Sequence, residues 1–519
     1  MSSDRQTVPQ LVRRWAQEQP DKPFVVTDSD TLTYGRLEQD SADVACRFAA
    51  NGFGKGTRVG LLMPNGTSWP VVAVAASRAG ATLVPLSTFL RPPELAAQLR
   101  VAGVEHLVVV RTFLARDYLA DLATIDPALV PGRRLTVDAV PRLRSIMVWD
   151  GDRPGASDIP MRRELVDALD AAVRPADDLA VIFTSGSRGD PKGVIHTHGG
   201  ALGATAAGLD SRRVTADDRL YIPMPFFWVG GFGTGLLSTL VAGATLLTEA
   251  RPEPERTLPF LERERVTLFR GWPEQAAALA RDPRFATADL GSLRAGSLDP
   301  VLPPAMQAAP GTRANLLGMT ESFGPYSGDR LDRTLPAGKE GSCGRPFADV
   351  EVRIVDLDTG APVSAGMDGE IQLRGRNMMR GICGRTRAEV FTDDGFYPTG
   401  DLGHLDADGY LFLSGRRDDM FKVRGATVYP SEVERALHAI DDVRRAYVVD
   451  VAGDDSATVA AAVVLVDGSS YTVDDLACDA AASLSSFKVP TRWRVIGNDD
   501  VPMTSTGKID KAGLQKLFE

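Results

Sequence analysis

Apolar positions alternate between two rhythms in the first third of the chain. From 37 to 50 they take helical spacing, at Leu37, Val44 and Phe48, and the run stops at Gly52 and Gly54. Residues 59–63 form a short apolar run ending at Pro64-Asn65-Gly66, which predicts a buried strand. A helix over 70–79, a strand over 82–86 and a strand over 105–110 follow. This β-α-β rhythm predicts an α/β fold, with a parallel sheet and helices on its faces. It resumes over 180–340 with glycine-rich joints. From about 349 the pattern changes to short strands with hairpin signals, as at Asp408-Gly409 between apolar runs. That stretch predicts a β-barrel-like part within a large N-terminal domain.

A charged patch, Ser414-Gly415-Arg416-Arg417-Asp418-Asp419, marks the best boundary. It divides the chain into 1–416 and 417–519. The second part predicts a small α+β domain: strands over 420–424, 445–451, 458–466 and 493–496, and helices over 431–439, 473–483 and 511–518. Ser431 followed by Glu434 suggests a capping box for the first helix.

Composition narrows the classes. With 519 residues and 44% hydrophobic content, the chain can build several core-bearing domains. A net charge of −10 argues against a nucleic-acid partner. The first residues carry Asp4, Arg5, Arg13, Arg14 and Glu18 and no apolar signal core, and no apolar run reaches membrane-spanning length. Cys46, Cys343, Cys383 and Cys478 are scattered without a Cys-x-x-Cys pair, as for buried thiols of a reducing compartment, so a cytoplasmic location is expected.

Four segments carry chemistry. Thr184-Ser185-Gly186-Ser187-Arg188-Gly189-Asp190-Pro191-Lys192-Gly193 follows the apolar run 179–183. Its glycines free the amides to turn inward, and its hydroxyls and cations suit a polyphosphate. It is not a Walker sequence, and in plain structural terms it could be a flexible surface loop. Leu317-Gly318-Met319-Thr320-Glu321 joins a hydroxyl to a carboxylate after a glycine bend, a donor set for Mg²⁺ beside phosphates. Tyr397-Pro398-Thr399-Gly400-Asp401 places a carboxylate where it can accept both hydroxyls of a ribose. Pro502-Met503-Thr504-Ser505-Thr506-Gly507-Lys508 carries a lysine on a glycine-hinged loop. Singly, each of the last three has a bland reading: a solvated Glu, a turn Asp, an exposed Lys.

Their joint order, from Leu32-Thr33-Tyr34 to Lys508, resembles the adenylate-forming superfamily of acyl-CoA synthetases, luciferases and peptide-synthetase adenylation domains. The segments Gly415-Arg416-Arg417-Asp418-Asp419 and Gly425 to Glu434 match that family as well. The resemblance implies a free-standing acyl-CoA ligase. A carboxylate attacks the α-phosphate of ATP, giving acyl-AMP and pyrophosphate; the small domain then turns and the thiol of coenzyme A displaces AMP. By resemblance, Thr184, Ser185, Gly186, Ser187, Arg188, Gly189 and Lys192 form the phosphate loop. Thr320 and Glu321 meet the phosphates and Mg²⁺, and Gly296, Ser297, Leu317, Gly318 and Met319 line the nucleotide. Asp401 and Arg416 hold the ribose, Asp418 is the hinge, Lys508 bridges substrate carboxylate and α-phosphate, and Gly425 flanks the pantetheine path. Trp228, Gly230, Gly231, Gly271 and Trp272 shape the acyl pocket. Their glycines suggest room for a bulky apolar acid, and Trp228 is either a gate of the acyl tunnel or a packed core residue.

Two positions depart from the family pattern. Arg188 stands where a small hydroxyl residue is usual, and Leu317 where an aromatic residue stacks on adenine. They open a second reading, in which only thioester formation from a supplied acyl-adenylate survives. Loading of a separate carrier protein and non-catalytic binding of an acyl nucleotide also stay open. No Asp stands in 225–231, where amino-acid-activating members hold the substrate amine. His196 and His198 read as loop and helix-entry residues. A homodimer is compatible with all of this.

Overall fold

The computed structural model describes residues 5–149, 163–184, 191–309, 311–419, 421–423, 426–452, 457–484, 488–503 and 509–519, without the side chains of residues 274, 418, 422, 426 and 427. The chain divides into two compact units: 1–351 with 374–397, and 352–373 with 398–519.

The first unit carries two mixed sheets. In the larger one, seven strands run in the order Gly381–Ile382, Lys192–Thr197, Asp178–Thr184, Thr82–Leu86, Arg58–Leu62, His106–Val110 and Ser145–Trp149. Its inner strands pair in parallel, as the alternating rhythm requires. They are rich in apolar residues on both faces, as strands covered by helices on both sides are. The predicted helix over 37–50 forms as Tyr34–Ala50, and its neighbour as Ser68–Arg78. The second helix is buried almost along its whole length. It brings the fully buried Arg78 to Asp170 (2.8 Å), Ser41 and Glu38. One guanidinium is thereby matched to two carboxylates, which makes burial of the charge tolerable.

The second sheet orders Leu268–Phe269, Arg219–Tyr221, Thr245–Leu247, Pro23–Val26 and Thr31–Thr33. Four of its strands are parallel, and Thr31–Thr33 closes the edge as a hairpin. Between the sheets, Trp69 meets Phe226 and Phe232 edge-on, each at 5.3 Å. A small third sheet holds Leu317–Met319, Gly324–Gly328 and Arg345–Pro346.

In the second unit, Val350–Val355, Gly369–Gly375, Tyr397–Leu405 and Leu411–Arg416 form a four-stranded sheet. The Asp-Gly hairpin forms between the last two, with Gly409 at φ +78°. After it come the ribbon Phe421–Val423 with Ala426–Val428 and the sheet Val443–Ala452, Ala457–Leu465 and Arg492–Val495. Helices Pro430–His438 and Val473–Ser483 pack on that sheet through Val433, Leu437, Leu476 and Ala480.

Three local expectations need correction. The capping box at Ser431 and Glu434 does not form. The helix starts at Pro430, whose fixed φ suits a first helical position, while Ser431 donates to the Ser414 carbonyl and Glu434 accepts the Val448 amide at 2.9 Å. Cys478 is exposed, and only Cys343 of the four thiols is fully buried. His196 is a strand residue rather than a loop residue, and both it and His198 are sealed in the core.

Candidate active site

Strands Asp178–Thr184 and Lys192–Thr197 pair antiparallel, with Thr184 opposite Lys192. The two ends of the glycine-rich loop are therefore held together, and a hydroxyl and an ammonium side chain sit at its mouth. Ser185, Gly186, Ser187, Arg188, Gly189 and Asp190 lie outside the described residues.

The outgoing strand carries His196, which is fully buried. Its Nε2–H donates to the Thr320 carbonyl at 2.8 Å, and its ring meets Phe323 edge-on at 4.9 Å. The strand leaving the phosphate loop is thus tied to the Thr320-Glu321 turn. Strand Leu317–Met319 enters that turn, and Phe323 at φ +56° and Gly324 at φ +118° leave it. Gly318 is required here, since a Cβ would stand 2.5 Å from the Gly324 carbonyl oxygen. The buried Glu321 carboxylate accepts from the Tyr397 hydroxyl at 3.0 Å, and its carbonyl accepts the Met379 amide at 2.8 Å. Thr320 and Glu321 are fixed from three sides before any ligand arrives. His196 and Tyr397 support the Thr320-Glu321 turn, and motif reading misses both. His196 stands in a His-x-His pair read from sequence as loop and helix-entry residues, and Tyr397 opens the segment whose Asp401 draws attention.

In the second unit, Asp401 pairs with Arg416 across neighbouring strands, Nη1 to Oδ1 at 2.6 Å. The Asp401 amide donates to Thr399 Oγ1 at 2.9 Å, and Arg416 also donates to the Thr399 carbonyl at 3.1 Å. Burial raises the Asp401 pKa and Arg416 partly offsets it. Asp418 lies in the turn Arg417–Asp419; Gly425 and Lys508 lie outside the described residues.

The residues expected around the acyl group fall in two groups of the first unit. Trp228 is partly buried, between Phe227 (5.3 Å), Trp272 (5.7 Å) and Phe89 (6.1 Å). Trp272 and Phe89 are exposed, so these rings make an aromatic rim rather than a closed core. Gly230 and Gly231 begin the π-helical stretch Gly230–Leu237. A Cβ on Gly230 would meet Met224 Sδ at 2.7 Å, and one on Gly231 the Pro225 carbonyl at 2.1 Å. Close packing explains both glycines, so they are not by themselves a sign of room for a bulky acid. Gly271 and Trp272 follow strand Leu268–Phe269, and Ser297 Oγ accepts the Phe269 amide at 3.1 Å, bringing Gly296 alongside.

Burial lowers the pKa of His196 and of His198 from 6.5 to about 4, and lowers that of His106. Between those values the unfolded chain binds protons that the folded chain refuses, so stability falls as pH drops from 6.5 towards 4. The buried carboxylates of Asp170, Glu249 and Asp401 are shifted up and act in the opposite sense, but nearer their own ordinary range. The expected result is a urea midpoint that declines between about pH 6.5 and 5, with His196→Asn removing part of the slope. A flat wild-type profile in that window contradicts the assignment.

Comparison with known proteins agrees with this layout. The family profile described as "AMP-binding enzyme" matches residues 12–383, and that of its C-terminal domain matches 432–508. The chain is 32% identical to the 3-[(3aS,4S,7aS)-7a-methyl-1,5-dioxo-octahydro-1H-inden-4-yl]propanoyl:CoA ligase of Mycobacterium tuberculosis, over 100% of both chains. It is 33% identical to a feruloyl-CoA synthase of an Amycolatopsis species, over 98% of each. Among solved structures, the anthranilate CoA ligase AuaEII with anthranoyl-AMP superposes with a TM-score of 0.79 at 23% identity, covering 99% of this chain and 98% of that one. The amide bond synthetase McbA of Marinactinospora thermotolerans gives 0.79 at 26%, covering 99% and 100%. With profiles matched over both parts of the chain, the protein belongs to the adenylate-forming AMP-binding enzymes, in the group of the acyl-CoA synthetases.

Proposed function

We propose that the protein is an AMP-forming acyl-CoA ligase whose substrate is a ring-bearing carboxylic acid. The observation that carries the reading is the His196–Thr320 hydrogen bond, which ties the strand leaving the phosphate loop to the Thr320-Glu321 turn. Two relatives of matching length act, by their names, on a bicyclic propanoic acid and a hydroxycinnamic acid, and the aromatic rim of Phe89, Trp228 and Trp272 suits flat or fused rings.

In the first half-reaction a substrate carboxylate oxygen attacks the α-phosphorus of ATP. The bond from that phosphorus to pyrophosphate breaks, and pyrophosphate leaves with the electron pair. Lys192 and the loop that follows Thr184 neutralise the departing charge. By the family resemblance Lys508 serves the charge that gathers around phosphorus, a role that favours the transition state over the ground state. Asp401 accepts the ribose hydroxyls, and Arg416 holds that carboxylate in place. In the second half-reaction the thiol of coenzyme A loses its proton to solvent and its sulfur bonds to the acyl carbonyl carbon; the bond from that carbon to the phosphate oxygen breaks, and AMP leaves with the electron pair. The hinge at Asp418 and the passage at Gly425 serve this step.

The half-buried Thr320 and the buried Glu321 carboxylate offer oxygen donors that fit Mg²⁺, a hard ion that shares carboxylate and phosphate oxygens. When bound, it supplies charge neutralisation to the phosphates. Tyr397 orients the Glu321 carboxylate, so Tyr397→Phe is expected to raise the Mg²⁺ needed for half-maximal pyrophosphate release by about ten-fold. An unchanged requirement would show that Glu321 needs no such support.

The deciding experiment offers fused-ring propanoic acids, hydroxycinnamic acids and straight-chain acids with ATP, Mg²⁺ and coenzyme A. The expected result is pyrophosphate release and a CoA thioester, fastest for a ring acid. Thioester formation only from a preformed acyl-adenylate would assign the second half-reaction alone. Acylation of a carrier protein but not of coenzyme A would overturn the acceptor.

A further inference from the structure

Two guanidiniums beside the five-stranded sheet have no carboxylate partner among the described residues. Arg212 ends the helix Leu209–Arg212 and is 5% exposed. Its Nε donates to the Gly208 carbonyl at 3.0 Å and its Nη2 to the Thr205 carbonyl at 2.9 Å, while the buried Nη1 meets no acceptor. Arg270 follows strand Leu268–Phe269 directly. Its Nη2 donates to the Arg212 carbonyl at 2.6 Å, and its Nε is buried without a partner.

The carboxylates of this region are engaged by other arginines. Asp218 takes Arg294 at 2.7 Å, Asp299 takes Arg313 at 2.7 Å, and Asp332 takes Arg330 at 2.6 Å and Arg213 at 3.4 Å. Burial lowers the pKa of Arg212 to about 10, and burial with the neighbouring Arg212, Arg294 and Arg313 lowers that of Arg270 to about 9. Asp218 offsets only part of this. Both side chains remain cationic at neutral pH, in surroundings that disfavour the charge. A buried charge without a counterion is costly, and an arriving anion removes that cost.

The position favours a ligand. Arg270 lies at the carboxyl end of a parallel strand, the side on which open α/β sheets bind their substrates. It immediately precedes Gly271 and Trp272. Its Nη2 lies 3.3 Å from where a Cβ of Gly296 would stand, so a side chain at 296 would press on the guanidinium. Gly271, Trp272 and Gly296 are all residues that the family resemblance places around the substrates. We infer that Arg270, backed by Arg212, forms an anion subsite beside the acyl pocket that holds a second carboxylate of the acid substrate. The favoured acid is then a dicarboxylic one: one carboxylate is activated, while the other rests on the guanidiniums and orients the chain. This rests on the acyl-CoA ligase reading and names the substrate class for it.

The test compares dicarboxylic acids, ring-bearing and linear, with their mono-methyl esters, reading pyrophosphate release and CoA thioester. In the wild type, kcat/KM for the best diacid should exceed that for its half-ester by about 30-fold or more, the value of hydrogen bonds to a charged group. Arg270→Met should collapse that ratio towards one, and Arg270→Lys should restore part of it. Without ATP, the diacid should raise the Tm of the wild type but not of Arg270→Met. A wild-type ratio near one, or a ratio unchanged in Arg270→Met, overturns the subsite while leaving the ligase reading intact. A raised KM for ATP with an unchanged acid ratio assigns the guanidinium to the nucleotide and also overturns it. Failure of every acid to yield a thioester sinks the ligase reading itself. Should Arg270→Met not fold, Arg212→Met carries the same comparison.

Discussion

Lys508→Ala is expected to lower ATP-dependent pyrophosphate release about 100- to 1,000-fold while sparing thioester formation from a supplied acyl-adenylate. The size follows from removing one donor aimed at transition-state charge, which costs about 3–4 kcal/mol at comparable sites. The sparing follows from the chemistry. In the second half-reaction the sulfur attacks the acyl carbon of a mixed anhydride rather than phosphorus, and AMP is a good leaving group without an ammonium at the phosphorus. The two halves are separable by measuring isotope exchange between pyrophosphate and ATP in one assay, and consumption of synthetic acyl-AMP with coenzyme A in the other. Equal losses in both would place Lys508 in both steps or reveal a folding defect. An intact first step would remove Lys508 from the chemistry. The same pair of assays on the wild type decides what Arg188 does. Robust exchange shows that its bulk is accommodated in the phosphate loop, whereas acyl-AMP consumption without exchange shows that it blocks the first step.

Asp401→Ala is expected to raise the KM for ATP about 100-fold. A buried carboxylate that accepts two ribose hydroxyls contributes two charge-assisted hydrogen bonds, together about 3 kcal/mol. The variant also releases Arg416 from its 2.6 Å contact, so the proposed ribose site loses its orientation as well as its acceptor. The wild type should discriminate strongly against 2′,3′-dideoxy-ATP, and the variant should accept ATP and the dideoxy analogue almost equally. Persistent discrimination in the variant would place the ribose acceptor elsewhere. Because burial raises the Asp401 pKa, nucleotide affinity should weaken as pH falls through the upper carboxylate range.

The elements of this protein were largely legible one by one. The Val- and Leu-rich runs at 58–62, 82–86 and 106–110 became inner parallel strands, because only a strand covered on both faces tolerates apolar side chains on both. Helix Val473–Ser483 formed over the predicted residues, with Thr472 as its cap. The capping box at Ser431 failed for a tertiary reason. The Ser431 hydroxyl and the Glu434 carboxylate found distant backbone partners, at Ser414 and Val448, that local pattern does not report. The glycines at 230 and 231 invited a reading of open space, and the structure fills that space with Met224 and the Pro225 carbonyl.

What the sequence determined by itself is the chemistry on offer: a glycine-rich loop, the Thr320-Glu321 pair, the Asp401 carboxylate and a late lysine, in an order that identifies the family. Motif spacing survives in sequence because each motif is a local backbone conformation with a local cause, a turn that only glycine makes or a strand end. Only the tertiary structure decided that His196 ties the Thr320-Glu321 turn to the phosphate-loop strand, that Tyr397 holds Glu321, and that Arg212 and Arg270 are left without counterions among the described residues. Those contacts join residues far apart in the chain. Whether a buried charge is compensated depends on every group packed around it, a sum over neighbours that the order of residues does not contain.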